Sequence, residues 1–230
     1  MKLSIIVPVY NEERFIEHSL ERLAKVEFPI ETEIIIVDDG SKDNSLVIAK
    51  EFKKKSKKDI TIVTKKNEGK GSAIRVGIKI SKGDIITFHD ADLEYNPEDL
   101  KNLLESLLRS KKYKVVYGSR FRKKNNNWQI PSHYLGNMFL STVMTLLYFN
   151  KIEDMETCYK MFYRSCLDGI TLKSNKFEIE PEISAKFLKK GLKIKEIPIE
   201  YKARLFDEGK KIHFQDGIKA LATIFEVRFS

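Results

Sequence analysis

Cysteine is scarce in this chain of 230 residues, which contains only Cys158 and Cys166. The two do not form a CxxC pair and no histidine cluster lies near them in the sequence, so neither a disulfide framework nor a zinc site is expected. We expect both to be buried thiols in a reducing cytosol. A chain of this length can bury a core that is large enough to fold without disulfides.

The sequence also lacks a long apolar run. Its most apolar stretch, residues 135–149, has about 15 residues and includes Asn137, Ser141 and Thr142, so it is too short and too polar for a membrane span. Met1 leads directly into a strand-like run, without the charged region and small-residue cleavage site of a secretory signal. We therefore expect no transmembrane segment and a cytoplasmic location.

Acidic residues are outnumbered by basic ones, 33 against 42, which gives a formal net charge of +9 at pH 7. Such an excess favours polyanionic partners, which could be nucleic acid, phosphorylated substrates or an anionic membrane surface, and charge alone does not choose among them. The lysine-rich run over residues 53–58 is expected to be a solvated helix face.

Apolar, β-branched runs alternate with helical patterns over the first 118 residues. The run Ile34–Val37 is apolar at every position, which is typical of parallel strands buried on both faces. In the first helical stretch the apolar side chains recur at 3.6-residue spacing, which predicts a helix that covers a sheet. The alternation predicts an α/β fold in one domain, with a doubly wound, mostly parallel, Rossmann-like sheet flanked by helices.

The predicted elements continue to the end of the chain. Strands are predicted at residues 3–9, 33–38, 60–64, 84–89, 113–118, 158–163 and 193–201. Helices are predicted from residues 12, 43, 71 and 97, over residues 135–149 and 180–190, and from residue 213. Between the fifth strand and the fifth helix, residues 120–133 are polar and basic and are expected to form a long mobile loop that serves a site.

Acidic residues follow two of the predicted strands, at the point where each strand ends. Asp38 and Asp39 end the second strand, Asp90 and Asp92 follow the fourth, and Arg120 follows the fifth. Because the carboxyl ends of parallel strands share one edge of a sheet, where such sheets bind ligands, we expect these side chains to converge. Like charges gathered at one edge repel each other, so a positive group is expected among them.

A divalent cation is one candidate for that positive group. Asp90, Asp92 and Glu94 alternate along what is expected to be an extended segment, so the first two carboxylates could reach one hard cation and leave positions for water and phosphate oxygens. Mg²⁺ or Mn²⁺ fits that chemistry. A calcium EF-hand loop is excluded, because Tyr95 and Lys101 occupy the positions of its turn glycine and its closing glutamate.

Other residues that often carry chemistry show weaker patterns. The glycine-rich segment 67–71 precedes a predicted helix but fits neither GxxxxGK[ST] nor GxGxxG, so we expect it only at the edge of a pocket. The histidines, His18, His89, His133 and His213, show no ligand spacing and are predicted to be structural or exposed. No Ser-His-Asp or Cys-His arrangement can be argued.

Seven motifs follow one another in a characteristic order. In chain order they are Pro8–Glu12, Asp38–Ser41, Asn67–Gly71, Asp90–Leu93, Gly118–Arg120, Phe177–Glu182 and Glu208–Ile212. Taken together, these motifs resemble those of family 2 glycosyltransferases, which are inverting enzymes with the GT-A fold. The resemblance spans nearly the whole chain and is strongest to the branch of dolichol-phosphate mannose synthase and other polyprenyl-phosphate glycosyltransferases.

The resemblance implies roles for individual residues. The nucleoside would be held by Pro8, Tyr10, Glu12 and Asp39, and the metal, Mg²⁺ or Mn²⁺, by Asp90, Asp92 and Glu94. The implied catalytic residues are Asp92, Arg120 and Arg204. The nucleotide-sugar site would further include Val37, Lys70, Asp90, Ala91, Asp92, Arg204 and Lys210.

The resemblance also implies a reaction. A hexose would pass, with inversion, from a donor such as GDP-mannose or UDP-glucose to a polyprenyl or dolichyl phosphate at an anionic membrane surface, and no nucleic acid partner is expected. Residues 1–120 would form the nucleotide-binding half, and residues 121–230 the acceptor loop and acceptor side. Arg120 would bind the acceptor phosphate. Apart from the resemblance, the basic charge and the apolar residues 135–149 with Trp128 suit a surface for peripheral membrane docking, and a core helix with a polar edge is the alternative for this stretch.

Two other functions stay open on the sequence. Transfer to a sugar hydroxyl, as in polysaccharide synthesis, would need a carboxylate base, for which Asp154, Glu156 and Glu178 are the candidates. A non-catalytic receiver-like module also gathers acids at strand ends. Its acid pair should follow the first strand, which here ends in Val9–Asn11, and the chain is too long for such a module.

Overall fold

Strands and helices alternate in the computed structural model, which describes residues 1–123, 126, 131–203 and 214–230, without the side chains of residues 131–133 and 214. The strands are β1 (Lys2–Val9), β2 (Glu31–Asp38), β3 (Asp59–Thr64), β4 (Ile85–Phe88), β5 (Val115–Ser119), β6 (Lys160–Tyr163) and β7 (Ile194–Pro198). The helices are α1 (Ile16–Lys25), α2 (Ser45–Lys55), α3 (Lys70–Ile80), α4 (Glu98–Leu108), α5 (Pro131–Tyr148), α6 (Ile179–Lys189) and α7 (Phe214–Phe229), with a short 3₁₀ helix at Arg164–Leu167. The predicted α/β alternation is confirmed.

The strands form one seven-stranded sheet in the order β3-β2-β1-β4-β6-β5-β7. The pairs β1–β2, β1–β4, β2–β3 and β5–β7 are parallel. β6 runs antiparallel to both of its neighbours, β4 and β5. The sheet is therefore mostly parallel, as predicted, and strands from both predicted halves of the chain take part in it.

The sheet core matches the apolar runs of the sequence. Ile5, Ile6 and Val7 of β1 have no exposed surface, as expected for a strand that is covered on both faces. α3 approaches β1 closely at Gly77, where an added Cβ atom would lie 2.4 Å from a methyl carbon of Ile6. The glycine thus sets the distance between this helix and the sheet.

The first helix begins at Ile16, four residues later than predicted from the pattern. Asn11 has a φ of 52°, a left-handed conformation that asparagine tolerates better than most residues. Its side-chain oxygen accepts a hydrogen bond from the Lys42 amide at 2.8 Å, and its own amide donates to Ser41 at 3.1 Å. These contacts hold the chain in a turn after β1 and delay the helix.

Helix α5 begins at Pro131, inside the segment predicted to be loop up to residue 133. Proline is favoured at the first position of a helix because no helical partner exists for an N–H there. α5 packs beside α7, and the Tyr148 hydroxyl donates to the Ile224 carbonyl oxygen at 3.1 Å. Trp128 lies outside the described residues.

Both of these helices carry large apolar side chains that face solvent. On each helix they recur at spacings of three, four or seven residues, which corresponds to one helical stripe. We call these two stripes, together with Phe149 directly after α5, the α5/α7 apolar surface; its members are Leu135, Met138, Phe139, Leu146, Phe149, Ile218, Phe225 and Phe229. No helix in the described part of the chain combines the length and the hydropathy of a membrane-spanning segment.

Candidate active site

A pocket of about 400 Å³ opens at the carboxyl edge of the sheet. It lies where the strand order reverses, since β2 and β3 are on one side of β1 and β4 is on the other. β1 pairs with β2 as far as Val9 opposite Asp38, but with β4 only as far as Ile6 opposite Phe88. Pro8 lies in the stretch of β1 that has no partner on the β4 side, where its missing N–H is not needed. Such a crevice is the usual ligand site of an open α/β sheet.

Most of the predicted site residues line this pocket. They are Pro8, Tyr10, Glu12, Asp39, Lys70, Asp90, Ala91, Asp92, Glu94 and Arg120. Val37 does not join them: it lies opposite Pro8 in β2 and its side chain is fully buried in the core. Arg204 and Lys210 lie outside the described residues. The convergence of acids at one edge is thus observed, and the roles of the individual side chains stay predictions.

Asp39 ties the glycine-rich segment to the end of β2. Its Oδ1 accepts a hydrogen bond from Lys65 Nζ at 2.7 Å, and its Oδ2 accepts from the Gly69 amide at 2.7 Å. Burial alone would lower the pKa of Lys65, but the hydrogen bonds to Asp39 and Glu68 raise it above its usual value. The Glu68 amide also donates to both carboxylate oxygens, at 3.1 and 3.3 Å, so two successive amides of the glycine-rich segment are held by Asp39.

Lys70 supplies the positive group that the gathered acids require. It is the first residue of α3, and its Nζ lies 2.9 Å from Asp90 Oδ2 and 3.0 Å from Glu180 Oε1. Burial would raise the pKa of Asp90, but the Lys70 ammonium holds it below its usual value. Burial would lower the pKa of Lys70, but its charged neighbours, Asp90 above all, raise that pKa well above the ordinary value.

Glu180 and Lys160 continue this chain of alternating charges into the interior. Glu180 Oε2 lies 2.5 Å from Lys160 Nζ, and the Lys160 side chain has no exposed surface. The Lys160 ammonium also donates to the carbonyl oxygens of Met155 and Thr157, at 2.9 and 2.5 Å. The sequence analysis gave neither residue a role. For Lys160 the available signal was a charged residue in the otherwise apolar strand β6.

Residues 91–94 form a turn, so the expectation of an extended segment here is wrong. Asp92 Oδ1 accepts a hydrogen bond from the Glu94 amide at 3.1 Å, the local contact by which aspartate favours turns. Leu93 has a φ of 63°, which is a strained conformation for leucine and is found mostly at functional sites. Glu94 Oε2 accepts from the Tyr201 hydroxyl at 2.8 Å.

The carboxylates of the pocket suit a hard divalent cation, although the described residues hold no group of three or more metal-ligating side chains. Asp90 and Asp92 both line the pocket. Mg²⁺ is commonly bound through one or two carboxylates, with substrate phosphates and water as its other ligands. The residues present therefore fit such an ion, and the predicted set of Asp90, Asp92 and Glu94 stays a prediction.

Arg120 is held rigidly at the end of β5, in contrast to the mobile loop expected to begin there. Its Nε donates to Asp154 Oδ2 at 2.8 Å and its Nη2 to Oδ1 at 2.7 Å. The guanidinium lies over the Tyr201 ring, 5.0 Å from the centroid. Burial opposes the charge, but Asp154 raises the pKa of Arg120 well above its usual range.

The three candidate bases differ in their surroundings. Burial would raise the pKa of Asp154, but Arg120 lowers it, which makes Asp154 a poor base. Glu178 immediately precedes α6 and is not among the lining residues. Glu156 lines the pocket; burial raises its pKa to about 7, and within the described part of the chain its buried Oε1 has no hydrogen-bond partner.

The fold is that of the GT-A class, which solved glycosyltransferases share. Glucosyl-3-phosphoglycerate synthase from Mycobacterium tuberculosis, solved in complex with uridine diphosphate, is similar with a TM-score of 0.75 over 99% of this chain and 80% of that chain, at 17% identity. That synthase has also been solved with Mn²⁺ and with Mg²⁺. At this identity the likeness shows the shared fold.

Residues 4–171 match the family model for glycosyl transferase family 2, and the chain belongs to that family. The UDP-N-acetylglucosamine–dolichyl-phosphate N-acetylglucosaminyltransferase of Methanococcus voltae is 30% identical over 85% of this chain and 84% of its own length. The dolichol-phosphate mannosyltransferase of Pyrococcus furiosus is 29% identical over 91% of this chain, which spans 59% of that enzyme. The family resemblance found in the sequence is confirmed.

Proposed function

We propose that this protein transfers a hexose, with inversion, from a nucleoside diphosphate sugar to a polyprenyl or dolichyl phosphate. The observation that carries the proposal is the pocket at the strand-order reversal, where acidic and basic side chains alternate in a family 2 chain. Relatives named as dolichyl-phosphate sugar transferases match most of this chain and support the choice of acceptor. GDP-mannose and UDP-glucose are the donors we propose to test first.

The donor would lie across the carboxyl ends of β1, β2 and β4. Tyr10, Glu12 and Asp39 line the part of the pocket that follows β1 and β2 and would hold the nucleoside. Lys70 and Asp90 lie at the adjoining part, which would receive the diphosphate. An Mg²⁺ or Mn²⁺ ion held by Asp90 and Asp92 would, when bound, neutralise negative charge on the departing nucleoside diphosphate.

The acceptor side needs no strong base under this proposal. A phosphate monoester has a second pKa of about 6, so it is mostly dianionic near neutral pH and can attack directly. Asp154 is already engaged by Arg120, in agreement with a reaction that depends on alignment and charge stabilisation rather than on proton removal. Arg120 lines the pocket and would contribute positive charge there, together with Arg204 and Lys210.

The lipid part of the acceptor would be met at the α5/α7 apolar surface. Phe139 of α5 and Phe149, directly after α5, are 57% and 88% exposed, and Asp216, near the start of α7, lines the pocket. Apolar side chains on a basic protein suit peripheral contact with an anionic membrane. We propose the cytoplasmic face, since both cysteines are buried free thiols.

Transfer to a sugar hydroxyl is the second candidate function. Glu156 favours it, because a hydroxyl nucleophile needs a base and this residue lines the pocket with a pKa raised by burial to about 7. The two functions differ in the acceptor and share the donor site.

The test is a transfer assay with radiolabelled GDP-mannose or UDP-glucose, Mn²⁺ and a polyprenyl phosphate. We expect label to enter the organic phase with one of the donors, and to be absent when EDTA is added or when the polyprenol lacks its phosphate. Asp92→Asn should abolish transfer without unfolding the protein. Label in oligosaccharide but not in lipid would contradict the proposal and support the second function.

A further inference from the structure

Lys70 occupies an unusual position for a lysine. It is the first residue of α3, where the helix dipole is positive and a basic side chain is disfavoured. The first turn of α3 contains no acidic residue that would compensate for it. The ammonium is instead stabilised by two carboxylates from other elements, Asp90 after β4 and Glu180 of α6.

The backbone around Lys70 is fixed, so this contact follows from the fold. A Cβ atom added at Gly69 would lie 2.6 Å from the Asn175 carbonyl oxygen, and one added at Gly71 would lie 2.6 Å from the Ser174 carbonyl oxygen. The two glycines let the start of α3 pack against residues 174–176, which lead into α6. Glu180 is thereby brought to Lys70.

Glu180 is in turn positioned by the buried ammonium group of Lys160. The Lys160 ammonium holds Glu180 Oε2 at 2.5 Å from a fully buried position. Glu180 Oε1 is 3.0 Å from Lys70 Nζ but makes no hydrogen bond of good geometry within the described residues. Lys70 therefore has a permanent anionic neighbour in Glu180 and a second one in Asp90.

The second neighbour is a carboxylate that the proposed function assigns to the divalent ion. The ammonium lies 2.9 Å from Asp90 Oδ2, so an ion bound to the same oxygen would be adjacent to a like charge. Repulsion between charges a few ångströms apart is strong where water is largely excluded. Lys70 and the ion thus compete for Asp90, whereas a diphosphate offers the ammonium other oxygens.

We infer that Lys70 is a displaceable counter-ion that neutralises Asp90 in the nucleotide-free protein and moves to the diphosphate when the donor binds. This inference rests on the proposed function. Its consequence is that the divalent ion and the nucleotide bind cooperatively. The diphosphate draws the Lys70 ammonium away from Asp90, which frees that carboxylate for the ion, and the ion in turn releases Lys70 to the diphosphate. Glu180, anchored by Lys160, is the positioning residue that keeps Lys70 within reach of both places.

The test compares Mn²⁺ binding to the wild-type protein and to Lys70→Met, by calorimetry or by the paramagnetic resonance of free Mn²⁺, with and without GDP or UDP. For the wild type we expect Mn²⁺ to bind at least about tenfold more tightly with the nucleotide than alone. Lys70→Met should bind Mn²⁺ alone at least about tenfold more tightly than the wild type, and the enhancement by nucleotide should largely vanish. Lys66→Met, which removes an exposed lysine outside the pocket, should resemble the wild type.

Two results would overturn the inference: Mn²⁺ alone binding the wild type as tightly as Mn²⁺ with nucleotide, or a folded Lys70→Met protein with unchanged or weaker affinity for Mn²⁺ alone. The wild-type comparison can overturn the inference even if the variant does not fold. Failure of every nucleotide to bind the wild type would instead contradict the proposed function, and the Mn²⁺-alone arm would still test Lys70.

Discussion

At the scale of single residues, Glu156 lines the pocket and has a pKa that is raised to about 7. Burial is the main cause, followed by the opposing influences of Lys160, which lowers its pKa, and Glu180, which raises it. A carboxyl group with a raised pKa in the folded state keeps its proton over a pH range in which the unfolded chain has released it. Stability is therefore lost as the pH rises from the ordinary pKa to about 7, and it does not change further above that.

Glu156→Gln should remove this loss. We expect the variant to be more stable than the wild type at pH 8 and to show little gain at pH 5. The gain in the free energy of unfolding at pH 8 should exceed the gain at pH 5 by at most about 3 kcal/mol. Urea unfolding at the two pH values measures it. Glu51→Gln, at an exposed position on α2, should show no such pH-dependent gain. An equal gain at both pH values would contradict the prediction.

Arg120 shows why a site residue found by motif can also be a structural one. Its guanidinium and the Asp154 carboxylate are both buried and joined by two hydrogen bonds. Arg120→Ala leaves Asp154 charged and unpaired, so we expect a loss of about 3–5 kcal/mol in the free energy of unfolding. Any loss of turnover in this variant then needs correction for the fraction unfolded.

The double variant Arg120→Met with Asp154→Leu separates the two roles. Replacing both charges by apolar groups should recover much of the lost stability while turnover stays low. Thermal unfolding and the transfer assay, run on the same samples, check this. Recovery of turnover together with stability would contradict a role for Arg120 in the reaction.

Single residues of the site were predicted from the sequence where strand ends marked them. Asp39, Asp90 and Asp92 follow buried strands, and the rule that such ends share an edge brought them to one pocket. The turn at residues 91–94 was missed, because the hydrogen bond from the Glu94 amide to Asp92 is a local geometric fact that alternation of acids does not reveal. Glu180 and Lys160 were missed because they meet only through tertiary packing.

At the scale of elements, α3 carries Lys70 at its start and contacts β1 at Gly77. Alanine in a helix interior is ordinarily favoured over glycine by up to about 1 kcal/mol. At Gly77 the added methyl group would lie 2.4 Å from Ile6, so we expect Gly77→Ala to destabilise the protein by about 1–3 kcal/mol instead. Chemical denaturation measures the sign and the size.

Gly136→Ala is the matched control for that substitution. Gly136 also lies in a helix, α5, and an added Cβ atom would meet nothing within 4 Å. We expect it to raise stability by about 0.5–1 kcal/mol. Stabilisation of both variants would show that helical propensity, rather than the contact with Ile6, governs Gly77.

The elements themselves were predicted well, and their arrangement less so. Runs such as Ile34–Val37 are apolar throughout and identify buried strands, and 3.6-residue spacing identified the helices. The direction of β6 could not be predicted, because its four residues, Lys160–Tyr163, carry no sign of which strand they will pair with. The start of α1 was misplaced because the contacts of Asn11 with Ser41 and Lys42 join distant parts of the chain.

At the scale of the whole molecule, the positive net charge and the α5/α7 apolar surface would act together. Replacing both Phe139 and Phe149 by serine should weaken binding to anionic vesicles about tenfold or more, since each phenylalanine loses about 1.5–3 kcal/mol of burial when it cannot insert. Co-sedimentation at low salt measures it, and raising the salt should weaken wild-type binding as well.

Val47→Ser provides the control for this experiment. Val47 is 54% exposed on α2, outside the α5/α7 apolar surface. The variant should bind vesicles like the wild type. Equal binding by the Phe139→Ser/Phe149→Ser protein and the wild type would contradict the proposed membrane contact.

The antiparallel strand β6 also has a consequence for biosynthesis. β4 and β5 follow each other along the chain but are not neighbours in the sheet, because β6 lies between them. A nascent chain that has emerged from the ribosome only to residue 120 therefore exposes two unsatisfied strand edges. The sheet is complete only after residue 198 has been made, since β7 ends at Pro198. The pocket at the carboxyl edge of the sheet therefore forms late, and the strand edges that are exposed before then favour aggregation.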